Sequence, residues 1–339
     1  MRTREAVAKL GVARAPSPLR QGRGGLATSC IRRFATASRY ITLLAAAVLA
    51  SNAWSDAGNW KVPRWWAFLS APDAVKKVVD GKCSGHVQGM CVTSNALYFS
   101  FHNQIVKTDW KGRFLKRAEV PRHGGDICHW NGRVYTGVWE EPAKKGGKWC
   151  AVIKMYDAET LELLKEKRLP EWTKACDGIT CLDGVIILAM GMEDWNSPVG
   201  NRNNYGRFNA DTLEPIGQPF VVDHGEQASC GAQNMTTDGT YIYACYYTSD
   251  EAARTPNFIV FDKDFKVVGK HVFGWTHGVD VVPGGKDGAV RFAWCTTLNN
   301  NWDYDSPIVP QMLVQFGELK DGKITDITKY IGFKKPMPR

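Results

Sequence analysis

A pattern of four predicted β-strands occurs five times in this sequence, and it constrains the fold more than any other feature. The clearest copy runs from His123 to Leu169, with an Asn131-Gly132 turn between its first two strands. Asn-Gly is the strongest short signal for a tight hairpin. The copies align on the small or polar residue that opens each first strand, namely Gly89, Asp126, Gly178, Asn234 and Asp280. Their spacings of 37, 52, 56 and 46 residues are typical of a four-stranded repeat.

One four-stranded sheet cannot bury both of its faces alone, whereas sheets stacked around an axis bury each other. The repeat therefore predicts an all-β fold, a five-bladed β-propeller of four-stranded antiparallel blades. The propeller is one domain over residues 83–334, with blades at about 83–120, 121–170, 171–223, 224–274 and 275–334. Blade three is the least regular, because Asn196 to Asn204 is a polar insertion. The alternative is a larger ring with a blade hidden before Gly81, although residues 59–79 favour a helix over strands.

Residues 1–57 have the character of a targeting leader. A ten-residue apolar run, Ile41 to Ala50, follows Arg32, Arg33 and Arg39, and it is short for a bilayer span. Small residues after it suit a signal peptidase, which predicts a secreted or periplasmic protein with no stable membrane span once cleaved. A mitochondrial presequence is the alternative. Residues 58–82 then form a predicted helical cap, whose tryptophans either pack on the propeller or stack on sugar rings.

The positive charge of the chain belongs mainly to this leader. The leader holds nine Lys/Arg and two acidic residues, and the rest of the chain holds 34 and 32. Since the body is nearly neutral and lacks a basic-aromatic motif, we expect no nucleic-acid partner. Nine of the ten cysteines follow the leader, so an exported form has at least one thiol outside a disulfide within the chain. Cys176 or Cys230 is the candidate for a bridge.

Histidines collect where the blades of the predicted ring begin. His86, His123 and His277 each stand three residues before the aligned position, in blades one, two and five. These blades are neighbours once the ring closes, so the three rings are predicted to converge at the mouth of the central channel. His224 falls in the loop into blade four and His102 at the end of a second strand, both at the same end of the ring. The candidate catalytic set is His86, His123, Asp126, His277 and Asp280.

Further polar and aromatic residues are predicted to line the same mouth. Aromatic faces stack on sugar rings, and amides and carboxylates bond hydroxyl groups, so this composition suits a small-molecule or oligosaccharide ligand. The candidate ligand-binding set is Gln88, Trp139, Glu140, Asp177, Glu193, Gln233, Asn234 and Tyr246.

Three interpretations of the histidines stay open. His86, His123 and His277 could bind one divalent metal ion, with Asp126 or Asp280 beside them. They could instead perform metal-free acid/base chemistry, because imidazole titrates near neutral pH. They could also only fasten blade corners to the backbone. The absence of an equivalent histidine in blades three and four favours a site.

The repeats resemble the broad bacterial β-propeller superfamily, with exported gluconolactonase/strictosidine-synthase-like and YVTN-type propellers as the nearest analogues. The resemblance covers about Gly85 to Ile331 and implies the architecture. Lactonase propellers of that kind use an acidic and amide metal set, from which the histidines here depart. Five-bladed arabinanase-type glycosidases use three carboxylates around the channel, and Asp126, Asp177 and Asp280 could mimic that set.

Together these observations predict an exported propeller that binds a polar, saccharide-type ligand at its channel mouth. Cleavage of that ligand by a hydrolase or lyase reaction, with histidine and carboxylate chemistry, is part of this prediction. The alternative is a non-catalytic binding or scaffold propeller. An enzyme needs titratable groups close together in a concave mouth, whereas a scaffold leaves them scattered.

Overall fold

The computed structural model describes residues 87–110, 112–120, 123–140, 150–173, 175–193, 199–247, 256–273, 277–282, 288–297 and 312–327. The predicted leader, the predicted helical cap and His86 lie outside these residues. The described residues form nineteen β-strands and no helix, arranged as five antiparallel blades. The predicted five-bladed propeller is therefore confirmed. Within the described part of the chain, no helix is long and apolar enough to cross a membrane.

Blades one, two and five are separate sheets of four consecutive strands. Blade one contains β1 (Val87–Val92), β2 (Leu97–Phe101), β3 (Gln104–Thr108) and β4 (Phe114–Glu119). Blade two contains β5 (Gly124–Trp130), β6 (Arg133–Glu140), β7 (Cys150–Asp157) and β8 (Leu163–Arg168). Blade five contains β16 (Gly278–Val282), β17 (Val290–Thr297), β18 (Met312–Lys320) and β19 (Lys323–Asp326). In each of these blades the first strand lies innermost and the fourth lies outermost.

Blades three and four form one seven-stranded sheet, which the sequence did not predict. Its strands are β9 (Ile179–Leu182), β10 (Val185–Met192), β11 (Val199–Asn209), β12 (Phe220–Thr237), β13 (Ile242–Tyr247), β14 (Phe258–Phe261) and β15 (Val267–His271). The first part of β12 pairs with β11 as the outer strand of blade three. Its last part pairs with β13 as the inner strand of blade four. Because β11 already begins at Val199, the predicted polar insertion is partly a strand.

Tight Asp-Gly and Asn-Gly turns connect several of the hairpins. Asn131 and Gly132 have φ of 46° and 72°, and they join β5 to β6 with Trp130 paired to Arg133. Positive φ at both turn residues matches the right-handed twist of the flanking strands, and Asn and Gly tolerate it best. The Asn131-Gly132 turn predicted from the sequence is therefore present.

Apolar side chains fill each interface between neighbouring blades. The described residues contain five buried clusters, and each draws its members from two adjacent blades. One cluster joins blades one and five through Phe99, Phe101 and Phe316. At the same seam, a Cβ on Gly278 would lie 2.6 Å from the backbone nitrogen of Met90. The first and last blades are therefore packed together, and no strand among the described residues is shared between them.

Candidate functional site

Inner strands of three blades carry an irregularity at the level of the aligned repeat position. The register shifts between Val87 and Gly89, between Gly124 and Ile127, and between Ala232 and Asn234. A β-bulge bends its strand and redirects a side chain, and bulges are frequent next to active sites. Here they fall at Gln88 in blade one, at Gly125 and Asp126 in blade two, and at Gln233 in blade four. This level, where the inner strands begin, is the mouth of the ring.

Gln88, His102 and His123 form a hydrogen-bonded chain at the mouth. Gln88 Nε2 lies 2.6 Å from His102 Nε2, and His102 Nδ1 lies 2.9 Å from His123 Nδ1. The two imidazole centroids are 4.7 Å apart. His102 is 1% exposed, whereas His123 is only partly buried. The chain therefore leads from a buried imidazole to one that is accessible from the mouth.

His123 has an unusual backbone conformation for a non-glycine residue, with φ of 73°. Such conformations cost on the order of 1–3 kcal/mol and persist only where the surrounding structure imposes them. The backbone on either side is fixed, because Trp139 N donates to His123 O at 2.9 Å and Gly124 N donates to His102 O at 2.9 Å. Burial lowers the pKa of His123 below its usual value, so the imidazole is neutral near pH 7.

Asp177 and Gln233 form a second polar pair at the same level, in blades three and four. The Gln233 side chain hydrogen-bonds the Asp177 carboxyl, and both residues are partly buried. Burial raises the pKa of Asp177 to about 7, and the Gln233 bond acts in the opposite direction. A Cβ on Gly125 would lie 3.3 Å from Asp177 Cα, so the glycine allows blades two and three to approach closely here.

Asp126, Asn234 and Asp280 join different blades to one another, including blades that are not adjacent in the ring, instead of lining an open wall. The Asp126 carboxyl accepts hydrogen bonds from Met235 N at 2.8 Å and Ile179 N at 3.3 Å, so it joins blade two to blades three and four. It is 1% exposed, and burial raises its pKa well above the usual range. Asn234 Nδ2 donates to Gln88 O at 2.7 Å.

Asp280 performs the same task at the seam of the ring. Its Oδ2 accepts from Val92 N of blade one at 2.8 Å, and its Oδ1 accepts from the Thr236 hydroxyl of blade four. Burial raises the pKa of Asp280 to about 7, while these bonds pull it down. The three carboxylates that could mimic the arabinanase-type set are thus in different situations, because Asp126 and Asp280 are occupied by bonds between blades.

The side chains of four other candidates have partners or surroundings of their own. Tyr246 is 2% exposed, and its hydroxyl is hydrogen-bonded to Tyr205 between blades three and four, so it is not on an open wall. Glu140 is paired with the buried Lys154 at 3.0 Å, and Glu193 forms an exposed ion pair with Arg202. Trp139 packs partly buried against the cluster between blades two and three.

His277 is 3% exposed at the start of blade five, and its backbone nitrogen donates to Cys295 O at 3.1 Å. Because His86 lies outside the described residues, the convergence of His86, His123 and His277 stays a prediction. The described residues contain no group of three His, Cys, Asp or Glu side chains that could hold a metal ion.

His102 and His224 have roles that the candidate catalytic set did not assign. The signal for His102 is its position directly after the apolar strand Leu97–Phe101, which ends at the mouth. His224 is 1% exposed, and neither of its ring nitrogens has a hydrogen-bond partner among the described residues. Its ring centroid lies 4.3 Å from that of Tyr246, and burial lowers its pKa to about 4. His224 thus lies inside the junction of blades three and four.

The described cysteines are thiols. Cys91, Cys128, Cys176, Cys181, Cys245 and Cys295 are buried and Cys150 is half-buried, and all seven are free. The bridge considered for Cys176 is therefore not formed, and this residue instead belongs to the apolar cluster between blades two and three. The side chain of Cys230 lies outside the described residues.

Comparisons with known proteins show similarity to solved propellers at low identity. The GH43_1 enzyme from Xanthomonas citri complexed with xylose matches with a TM-score of 0.48 and 12% identity, over 77% of this chain and 96% of that chain. The Pan2 WD40 domain of Neurospora crassa matches with a TM-score of 0.36 and 12% identity, over 61% and 60%. BamB from Moraxella catarrhalis matches with a TM-score of 0.33 and 11% identity, over 66% and 56%.

No family model matches the chain, and a search of curated proteins found no match. This chain spans less than two thirds of the length of the Pan2 domain and of BamB. At these identities and TM-scores the similarities carry no conclusion about activity. The resemblance stated from the sequence therefore extends to the propeller architecture and not to a particular family.

Proposed function

We propose that the protein is an exported propeller that binds a hydroxyl-rich, saccharide-type ligand at the mouth of its ring. His123 exchanges a proton with that ligand in a hydrolase or lyase reaction. The observation that carries the proposal is the hydrogen-bonded chain from Gln88 through His102 to His123. An accessible imidazole backed by a buried hydrogen-bonded partner has the arrangement that acid/base catalysis requires.

The remaining groups at the mouth suit a ligand rich in hydroxyl groups. Gln88 and Gln233 present amides, and Asp177 presents a carboxyl whose pKa of about 7 permits it to donate or accept. The strained backbone of His123 is a second support, since such conformations cluster at functional sites. Binding of one divalent ion by His86, His123 and His277 is the alternative use of the His123 imidazole, because a ring nitrogen that binds a metal ion cannot exchange a proton, and metal analysis of the purified protein tests it.

The experiment is a screen of the purified protein on neutral and acidic oligosaccharides, with binding and release of reducing ends measured separately. We expect His123→Asn to lower cleavage by about 10²–10⁴-fold, because it removes the titrating group while asparagine tolerates the positive φ. Binding should change less than tenfold. His271→Asn is the matched control, since His271 lies on the outer strand β15 with Nδ1 near Gly322 O. Full cleavage by His123→Asn would contradict the catalytic role.

A non-catalytic binding or scaffold propeller is the second candidate. It is favoured by the use of the Asp126 and Asp280 carboxylates in bonds between blades, which withdraws both from ligand chemistry. In that case the screen finds binding without release of reducing ends, and His123→Asn lowers affinity alone.

A further inference from the structure

We infer that Gln88 is a positioning residue whose amide orientation decides which nitrogen of His123 carries the proton. The inference rests on the proposed function of His123 at the mouth, and it deepens that proposal by naming what controls the imidazole. It starts from three side chains in a row whose donor and acceptor roles are linked, because each imidazole nitrogen of a neutral histidine either donates or accepts.

The contacts determine the proton positions one after another. Gln88 Nε2 is 2.6 Å from His102 Nε2, and an amide NH2 group only donates, so His102 Nε2 accepts. The proton of neutral His102 is then on Nδ1, which donates to His123 Nδ1 across 2.9 Å. His123 Nδ1 accepts, and its proton is on Nε2. In this arrangement His123 offers a hydrogen-bond donor to the mouth and no basic lone pair.

The same geometry also opposes protonation of His123. An imidazolium carries a proton on both nitrogens, so a second proton on His123 would place two N–H groups face to face between the Nδ1 atoms. Burial of the pair adds to this effect by disfavouring charge. While Gln88 donates to His102, the accessible ring is therefore held neutral with Nε2 protonated.

Rotation of the Gln88 amide by 180° reverses every role in the chain. The amide oxygen and nitrogen have nearly the same shape, so the rotated side chain occupies the same space. His102 Nε2–H then donates to Gln88 Oε1, and His123 Nδ1–H donates to His102 Nδ1. His123 Nε2 now carries the lone pair that can take a proton from a ligand hydroxyl or a water. The resulting imidazolium returns that proton from Nε2 to the leaving oxygen, which completes the proton balance.

Two features of the fold hold Gln88 in place for this role. It occupies the bulge of β1, which redirects its side chain toward the mouth. Its backbone carbonyl accepts a hydrogen bond from Asn234 Nδ2 of blade four at 2.7 Å, and this bond does not involve the side chain of Gln88. Substituting the side chain therefore changes the end of the imidazole chain while keeping the backbone anchor.

The test is ¹⁵N NMR of the histidine side chains in the full-length protein, which distinguishes protonated from unprotonated ring nitrogens. We expect the wild type to show His102 protonated at Nδ1 and His123 protonated at Nε2. In Gln88→Glu the carboxylate can only accept, so both assignments should invert, to His102 Nε2–H and His123 Nδ1–H. Gln233→Glu adds the same charge at the equivalent bulge of blade four, and it should leave both tautomers as in the wild type.

A second variant keeps the test decisive if Gln88→Glu does not fold cooperatively. Gln88→Met removes both donor and acceptor, and we expect it to leave the two histidines without a single preferred tautomer. Unchanged assignments in either folded variant would overturn the role of Gln88. This outcome is separate from the proposed function: inversion by Gln88→Glu together with full cleavage by His123→Asn would uphold the positioning role and reject the catalytic one.

Discussion

His224 and Asn203 are both buried polar residues near the junction of blades three and four, yet their surroundings differ. Asn203 Nδ2 donates to Gly191 O, and its Oδ1 accepts from Ala232 N at 2.9 Å. Within the part of the chain that the structure describes, neither ring nitrogen of His224 has a hydrogen-bond partner. A buried polar atom without a partner costs about 1–3 kcal/mol, whereas a satisfied one is close to neutral. The buried imidazole of His224 therefore lowers the free energy of unfolding.

Replacing His224 with an apolar residue of similar volume should stabilise the protein. We expect His224→Leu to raise the free energy of unfolding by about 1–3 kcal/mol, since it removes two unsatisfied nitrogens. Denaturant titration measures this change. The comparison variant is Tyr246→Phe, which removes the hydroxyl bonded to Tyr205 next to the same ring and should cost about 1 kcal/mol. Loss of stability in His224→Leu would instead indicate that the imidazole has a function at this junction.

The placement of single side chains was the least predictable part of the site. Gln88, His123, Asp177 and Gln233 lie near the starts of the inner strands, and their role in a binding site stays a prediction. Tyr246 was assigned to the same wall but is buried between blades. Its partner strand β12 shifts register between Ala232 and Asn234. Since one extra residue reverses which face a side chain occupies, alternation alone cannot assign sides next to a bulge.

At the scale of strands, the repeat predicted nearly every element but not the continuity of β12. The sequence predicted that blade three ends at about residue 223 and that the first strand of blade four is aligned on Asn234. The structure instead joins them in one strand, Phe220–Thr237. The intervening residues, Asp223 to Gly231, are polar and contain Gly225 and Gly231 with φ of 74° and 89°. They have no strand signal of their own, and hydrogen bonds to β11 and β13 determine their conformation.

Close approach of inner strands explains why a glycine stands at the aligned position of blade one. A Cβ on Gly89 would lie 2.4 Å from Asp126 Oδ1 and 2.6 Å from Asp126 Cα. The backbone contact cannot be relieved by a side-chain rotation, so we expect Gly89→Ala to lower the free energy of unfolding by about 1–3 kcal/mol. Chemical denaturation followed by tryptophan fluorescence would measure it.

Gly200→Ala is the matched control on strand β11. Among the described residues, the Cβ there would meet only Met192 Cε at 3.1 Å, the flexible end of a side chain. This variant should be within about 0.5 kcal/mol of the wild type or more stable, because alanine also reduces the entropy of the unfolded chain. Equal losses in the two variants would argue that general strand effects, and not contact between blades, determine the cost at Gly89.

At the scale of the whole ring, five apolar interfaces and a set of axial hydrogen bonds keep the blades together. The number of blades followed from the sequence because each repeat contains its own turn and strand signals. The axial hydrogen bonds could not be predicted from the sequence, because they join residues far apart in the chain, such as Asp126 to Met235 and Asp280 to Val92. The candidate carboxylates therefore proved to be partly structural, a distinction that depends on which N–H groups the closed ring brings near them.

Two partly buried carboxyls, those of Asp177 and Asp280, should make the stability of the ring fall as pH rises. Burial raises the pKa of Asp177 and of Asp280 from 3.8 to about 7. The folded state therefore binds more protons than the unfolded state between about pH 4 and 7. Their contribution is fully present below the unfolded pKa, and it is lost as pH rises through the folded pKa. We expect the free energy of unfolding to decrease across this window.

Asp177→Asn isolates one of these groups, because the amide keeps a neutral partner for Gln233. At pH 5 both carboxyl and amide are neutral, so the pH-dependent difference between variant and wild type should be small there. At pH 8 the wild type carries a charge that is partly shielded from water. The free energy of unfolding of the variant minus that of the wild type should therefore be about 1–3 kcal/mol larger at pH 8 than at pH 5. Each pKa unit is worth about 1.4 kcal/mol, and solvent screens the partly exposed group. Urea titrations of both proteins at pH 5, 6, 7 and 8 measure how the free energy of unfolding of each one changes with pH. Parallel curves would show that Asp177 is already ionised in the folded ring, and its role at the mouth would then be that of a charged acceptor.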